Sequence, residues 1–300
     1  DRALTIFENI QNKEGQIRAF LALGKLELTI GNDPVARSYF NKGYMLSEEI
    51  GDMKSKIRSK IYLGQSYQDA RDEFVGQEHL QDAVEIAKSI KDNALLSECY
   101  AALGNWYASN EEYNTSVGYL ELALESANLS GDQVLIADRL QSAGHGYLKS
   151  DQHDLAYTSF EQSLRINEEL EREDKQCMLC YELGQLKLEQ LKEDEALVFF
   201  RNSLTLAINN GIKDYITKGY KIQSEVYEAN KDYENAYRYL KLVSATEGVS
   251  EISELETQLE NQRILRENQM LKQQEDLRIE KAERDTERMA MMIVAVVGLC

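Results

Sequence analysis

Proline is nearly absent from this sequence of 300 residues, which contains only Pro34. At the average frequency of about 5%, roughly 15 prolines would be expected. A fold built from many turns, such as most all-β folds, is therefore disfavoured, and we expect a mostly helical protein. Basic residues are also scarce, because 34 Lys and Arg face 52 Asp and Glu and leave a net charge of −18. This deficit argues against nucleic-acid binding by these residues, since such binding relies on a basic surface.

Residues that commonly carry chemistry are few and scattered. Four cysteines in so long a chain do not make a disulfide framework, and the three histidines show no metal-ligand spacing. Cys177 and Cys180 form a CxxC sequence inside a predicted helix, where a core or surface thiol is favoured over a redox pair. Glycine-rich phosphate-binding motifs and a GxSxG motif are lacking as well. We therefore expect no catalytic residue, no metal site and no cofactor within residues 1–300, and the sequence leaves open whether a longer protein is an enzyme.

One period of 40 residues organises most of the sequence. It is marked by a small residue inside a predicted helix, at Gly24, Gly64, Gly104, Gly144, Gly184 and Ser224. A large apolar residue follows sixteen positions later, at Phe40, Leu80, Leu120, Phe160, Phe200 and Leu240. This spacing predicts two antiparallel helices per repeat, a first helix that carries the glycine and a second helix that carries the large residue. Because a helical glycine costs about 1 kcal/mol in propensity, its recurrence indicates close packing between the two helices.

Other positions of the repeat fit the same interpretation. Aromatic residues three positions after the glycine, such as Tyr67 and Tyr107, are expected on one face of the first helix. A usually small residue lies three positions after the large apolar one, as at Gly43 and Ala123, and is expected in the same seam. Gly or Asp residues in the polar segments between repeats are expected to end one helix or cap the next.

These residues resemble the tetratricopeptide repeat. The third unit shows the likeness well, with Tyr100, Leu103, Gly104, Tyr107, Leu120 and Ala123. The period of 40 rather than 34 and the missing closing proline are departures that fit a longer-helix variant of the family. The resemblance implies an all-α fold, a right-handed solenoid of about six helix pairs over residues 16–248. Residues 1–15 are then expected to form the second helix of a truncated preceding repeat.

A different pattern begins after the last repeat. Residues 249–288 are rich in charge and contain no Pro and no Gly. They carry an imperfect apolar stripe at Ile252, Leu255, Leu259, Ile264, Leu271 and Leu277. We predict a long helix that forms a parallel homodimeric coiled coil through residues 251–288. The alternative is a single solvated helix, because the heptads are interrupted.

The last twelve residues, 289–300, are apolar and uncharged. A bilayer span needs about 20 such residues, but the sequence ends before the run does. We interpret the segment as the start of a transmembrane helix, the alternative being a buried or interfacial segment. Basic residues before the run would place that flank in the cytoplasm.

The resemblance also implies a concave groove lined by the first helices. In that arrangement the residue after the glycine faces the groove, and this row is polar throughout, at Lys25, Gln65, Asn105, His145, Gln185 and Glu225. A second row, seven residues earlier, reads Arg18, Arg58, Glu98, Asp138, Met178 and Lys218. We predict that these rows bind an extended peptide and an acidic group on it. The candidate binding residues are Arg18, Lys25, Arg58, Gln65, Asn105, Gln141, His145 and Gln185. The alternative is that these rows form only the hydrated face of a solenoid.

The order of repeats, coiled helix and membrane helix resembles the sensory half of bacterial membrane signalling proteins. This resemblance implies a single-pass receptor in the bacterial inner membrane, with the repeats in the periplasm, despite the basic flank. An output domain, such as a histidine kinase or a diguanylate cyclase, would follow residue 300. The alternative function is a non-signalling scaffold, soluble or anchored to the membrane.

Overall fold

The computed structural model describes residues 2–68, 73–247 and 251–297, and over these residues the protein is entirely helical. The helices in these ranges are α1 (Arg2–Asn9), α2 (Lys13–Thr29), α3 (Asp33–Ile50), α4 (Met53–Gln65), α5 (Glu73–Ile90), α6 (Asn93–Ser109), α7 (Tyr113–Ser130), α8 (Gln133–Lys149), α9 (His153–Glu169), α10 (Glu173–Glu189), α11 (Glu193–Asn210), α12 (Lys213–Ala229), α13 (Tyr233–Glu247) and α14 (Glu251–Val297). From α2 to α13 a new helix begins every twenty residues, so the 40-residue period is a pair of helices.

The helices fall into two compact units. The first unit, residues 1–171, contains α1–α9, and the second unit, residues 172–300, contains α10–α14. Helices pair in sequence within each unit, as α2 with α3 and α6 with α7 in the first, and α10 with α11 in the second. In the first unit the first helices α2, α4, α6 and α8 also contact one another in order. The predicted all-α repeat of antiparallel helix pairs is therefore confirmed.

The recurring glycines allow the two helices of a repeat to approach closely. A Cβ atom added to Gly144 would lie 2.4 Å from Cε1 of Phe160, the large residue sixteen positions later. The same relation joins Gly24 to Phe40 and Gly184 to Phe200. The large residue is fully buried in these repeats, so the packing reason predicted for the glycines is confirmed.

The sixth repeat departs from this packing, and the prediction for Leu240 is wrong. Leu240 is 54% exposed, whereas its neighbour Tyr239 is 4% exposed. Ser224 stands where the other repeats have glycine, and its hydroxyl donates to the carbonyl of Ala236 over 2.9 Å. The second helix of this repeat is thus held to Ser224 by a hydrogen bond, and Tyr239 is buried in place of Leu240.

Turns recur every twenty residues and depend on left-handed backbone. Positive φ angles are found at Gln11, Gly31, Gly51, Lys91, Glu111, Gly131, Asp151, Glu171, Leu191, Gly211 and Lys231. The next residue often caps the following helix, since the side chains of Asp52, Asp92 and Asp132 accept hydrogen bonds from backbone N–H groups of the first turn. The predicted helix-ending and capping roles of Gly and Asp are confirmed at these positions.

Two helix boundaries differ from the sequence prediction. Helix α4 ends at Gln65, so Tyr67 lies in a turn rather than on the first helix of its repeat. Helix α1 ends at Asn9 and α2 begins at Lys13, so residues 13–15 belong to α2 rather than to the preceding helix. Asn12 causes the early start, because its side chain accepts a hydrogen bond from the N–H of Gly15 over 2.9 Å.

Helix α14 runs without interruption from the predicted coiled segment into the predicted membrane segment. Part of it packs against the second unit: Ile264 is buried among side chains of α11–α13, and Asn268 donates to Thr205 over 3.1 Å. Ile264 is therefore buried within its own chain, and the prediction that it contributes to the interface of a homodimer is wrong. The side chains of Ile252, Leu255 and Leu259 lie outside the described residues.

The predicted membrane segment, residues 289–300, includes the end of α14 and residues 298–300, which lie outside the described residues. Over the part of the chain that the structure describes, no helix combines the length and the apolar character needed to cross a bilayer.

Candidate ligand-binding groove

An ion pair joins consecutive repeats on the inner helices of the first unit. Arg58 on α4 and Glu98 on α6 are 40 residues apart and so occupy the same register of neighbouring first helices. The guanidinium donates from Nε to Oε2 over 3.3 Å and from Nη2 to Oε1 over 3.1 Å. The hydrogen bond to Glu98 raises the pKa of Arg58. Two neighbouring members of the second row predicted from the sequence, Arg58 and Glu98, are thus in direct contact.

The pair forms one wall of a cavity of about 170 Å³, the Arg139 cavity. Its polar lining comes from three successive first helices: Arg58, Tyr62, Gln65, Glu98, Asn105 and Arg139. A second cavity of about 490 Å³, the Trp106 cavity, shares Gln65, Ala102 and Asn105 with it and adds Leu28, Gly31, Asp33, Gln68 and Trp106. We call the two cavities together the first-unit groove, which offers amide and guanidinium groups beside an indole ring.

Arg139 is the most constrained charge in this groove. It projects from α8, is largely buried, and its Nε atom has no hydrogen-bond partner. Burial lowers the pKa of its guanidinium, while the charges of Glu98 and Asp138 oppose that shift. A buried donor without an acceptor is unfavourable, and because Arg139 also lines the cavity, its positive charge can attract an acidic group that enters there.

The predicted binding residues are divided among several environments. Arg58, Gln65 and Asn105 meet in the Arg139 cavity, and the amino group of Lys25 lies 5.3 Å from the ring centroid of Tyr62, which lines it. Arg18 is exposed on α2, and His145 is exposed on α8 with its ring edge-on to Phe160.

Two further predicted residues do not line these cavities. Gln141 is buried, with 8% of its surface exposed. Gln185 belongs to the second unit and donates to the hydroxyl of Tyr181 over 2.9 Å.

Sequence reasoning missed Arg139, Tyr62, Gln68 and Trp106. A signal for Arg139 was present in the repeat. The equivalent positions in the other repeats are all small or apolar, at Ala19, Ser59, Cys99, Leu179 and Gly219. A single arginine at such a position enters a buried layer, where a charge is expensive unless a function requires it.

The cysteines and histidines contribute no second site in the described residues. No group of three or more His, Cys, Asp or Glu side chains there is arranged to hold a metal ion. Cys99, Cys177 and Cys180 are buried thiols. Burial raises the pKa of Cys99 to about 12 and also raises that of Cys177, so these thiols are in the unreactive form at neutral pH.

Comparison with protein-family models and with curated proteins gives no match. Similar solved structures include BtubC (BKLC) from P. vanneervenii, with 16% identity, a TM-score of 0.60 and coverage of 79% of this chain and 91% of that one. A Rap protein complexed with Competence and Sporulation Factor shares 14% identity, with a TM-score of 0.58 and coverage of 78% and 75%.

A signal transduction ATPase with a tetratricopeptide repeat sensor, from Pyrococcus horikoshii, shares 15% identity, with a TM-score of 0.66. The match covers 86% of this chain and 39% of that one. At these identities the likeness is one of fold. The fold is the tetratricopeptide-type helical repeat, as the sequence resemblance implied.

Proposed function

We propose that the first-unit groove binds a protein partner through an extended peptide segment. The observation that carries the proposal is the Arg139 cavity, where the side chains of three successive first helices converge around an arginine without a hydrogen-bond partner at Nε. The Rap protein of similar fold, whose structure is a complex with Competence and Sporulation Factor, supports the proposal by analogy.

The groove supplies the interactions that an extended peptide requires. Gln65 and Asn105 each carry an amide that can both donate to and accept from a peptide backbone. Leu28 offers apolar surface in the adjoining Trp106 cavity, which borders the buried ring of Trp106. Because these side chains stand on packed helices, little order has to be gained on binding, and this preorganisation favours affinity.

A positional-scanning library of N-acetylated, C-amidated nine-residue peptides tests the proposal. We expect the wild-type chain to select peptides with defined residue preferences. The double variant Gln65→Ala and Asn105→Ala should weaken binding of the selected peptides by about tenfold, because two amide hydrogen bonds are lost.

The matched control replaces a glutamine and an asparagine of the same unit that lie outside the groove. Gln81 on α5 and Asn114 on α7 are both exposed, and the variant Gln81→Ala and Asn114→Ala should bind as the wild type does. Equal losses in the two double variants, or a library without any residue preference, would contradict binding in the groove.

We further propose that the chain is the sensory part of a single-pass bacterial membrane receptor. In this proposal α14 forms a homodimer, residues from 289 onward enter the inner membrane, and the repeats face the periplasm. Two observations support it: α14 is continuous from 251 to 297, and a protein of similar fold pairs a tetratricopeptide sensor with a signal transduction ATPase. The coding sequence on both sides of residues 1–300 distinguishes a receptor from a scaffold, since only a receptor requires a downstream output domain.

A further inference from the structure

The charges that line the Arg139 cavity do not balance. Arg58 and Arg139 each contribute a positive charge and Glu98 contributes the single negative one, so the lining side chains carry a net charge of +1. Asp138 lies next to Arg139 in the sequence and its charge acts on that guanidinium, but it does not line the cavity. The lining itself is therefore positive in a protein of net charge −18.

The cavity also has more hydrogen-bond donors on its guanidinium groups than acceptors on its one carboxylate. Glu98 receives both of its charged hydrogen bonds from Arg58. The buried Nε of Arg139 has no acceptor. The one lining carboxylate is therefore bonded to Arg58, and a second oxyanion in the cavity would pair with the guanidinium of Arg139.

We propose that the Arg139 cavity binds the carboxylate of an acidic residue in the bound peptide, a proposal that rests on the peptide-binding function of the groove. A guanidinium presents its donors in a planar fork that matches a carboxylate in two parallel hydrogen bonds. The amide groups of Gln65 and Asn105 stand beside the same cavity as additional donors. A carboxylate carries one negative charge and neutralises the cavity, whereas a phosphate of nearly two charges would leave it negative.

The test compares peptides and variants in pairs. A peptide selected by the wild type for Glu or Asp at one position is compared with the same peptide carrying Gln or Asn there, with phosphoserine there, and with the acidic group supplied only by a free C-terminus. We expect the wild type to prefer the carboxylate over the amide by about tenfold or more, since hydrogen bonds to charged groups are stronger than neutral ones. The last two peptides distinguish a side-chain carboxylate from a phosphate and from a terminal carboxylate.

Two substitutions should act in opposite directions. Arg139→Gln should reduce the carboxylate preference to about twofold or less, because it removes the donor that lacks a partner. Glu98→Gln should increase the preference, because it removes the internal carboxylate that competes with the ligand. Arg165→Gln is the matched control, since Arg165 is exposed on α9 of the same unit and does not line the cavity, and it should leave the preference unchanged. Thermal unfolding of each variant verifies that the fold is retained.

The outcomes separate this inference from the function on which it rests. Selected peptides without an acidic preference, or a preference that Arg139→Gln and Arg165→Gln change equally, would overturn the carboxylate site while peptide binding stands. A preference for phosphoserine above glutamate would also overturn it in favour of a phosphate site. A library from which nothing is selected would overturn both proposals. Should Arg139→Gln fail to fold, Glu98→Gln decides together with the phosphoserine peptide, because an anion site predicts a gain in Glu98→Gln and a carboxylate site predicts that glutamate stays preferred over phosphoserine.

Discussion

At the scale of single residues, the contact between a glycine and a bulky apolar side chain decides how closely the helices of a repeat pack. Gly144 and Phe160 show this clearly, because no side chain can be added at residue 144 without displacing the ring. Overpacking of this kind costs about 1–3 kcal/mol, and alanine gains back about 1 kcal/mol in helix propensity. We therefore predict that Gly144→Ala lowers the free energy of unfolding of the first unit.

Urea unfolding followed by the fluorescence of Trp106, the sole tryptophan, measures this effect within the same unit. Gly118→Ala is the matched control, because a Cβ at that helical glycine meets nothing within 4 Å, and it should be neutral or stabilising. In a Phe160→Ala background the penalty of Gly144→Ala should disappear. A penalty of the same size in both backgrounds would show that the ring is not its cause.

At the scale of helices, acidic caps make the stability of the first unit depend on pH. Asp92 caps α6 by accepting a hydrogen bond from the N–H of Leu95 over 3.1 Å, and its carboxylate lies 3.0 Å from the amino group of Lys54. The backbone hydrogen bond, followed by that lysine, lowers the pKa of Asp92. The stabilisation is therefore present above the unfolded-state pKa of about 3.9 and is lost as pH falls through the lower folded-state value.

Asp92→Asn should accordingly destabilise the first unit by about 0.3–1 kcal/mol at pH 7, because asparagine still caps but lacks the charge. The difference from the wild type should shrink below about pH 4 as Asp92 becomes protonated. Trp106 lies on the helix that Asp92 caps, so its fluorescence in urea titrations at several pH values reports on this cap. Glu125→Gln, at an exposed position of α7, is the control and should show little effect at any pH. A constant effect of Asp92→Asn across this range would exclude the role of the charge.

At the scale of helices, only part of the packing could be predicted from the sequence. The 40-residue period was enough to predict the helix pairs. A glycine and a large apolar residue that recur sixteen positions apart, such as Gly144 and Phe160, are explained if the two residues contact each other between paired helices. The prediction failed at Leu240, in the repeat that has Ser224 instead of glycine, because only the packed structure shows that the neighbouring Tyr239 is buried there. Arg58 was found because it stands in a repeating row, whereas Arg139 was missed because it departs from its own row. A search for departures from the repeat, rather than for the repeat itself, would have found it.

The apolar stripe of α14 shows a second limit of the sequence. An apolar stripe predicts that one face of a helix is buried. It does not tell whether that face packs against the same chain or against a second chain. The structure divides the stripe, because Ile264 is buried within the second unit, while Leu277 remains 62% exposed. The nearby Ile279 is 54% exposed. These two residues border a cleft of about 790 Å³ between α14 and α11.

At the scale of the whole molecule, the exposed end of α14 is the surface through which we propose that two chains pair. Large apolar side chains on a charged helix favour burial against another helix, and the homodimer that we propose would bury Leu277 and Ile279. We predict that the full chain sediments at twice the mass of one chain, and that the variant Leu277→Gln and Ile279→Gln shifts it towards the monomer. Leu240→Gln is the matched control, since Leu240 is exposed to a similar degree on α13, and it should leave the mass unchanged. A wild-type chain that sediments as a monomer would contradict a homodimer through α14, and a loss of dimer in both variants would indicate general apolar association instead of a helix pair.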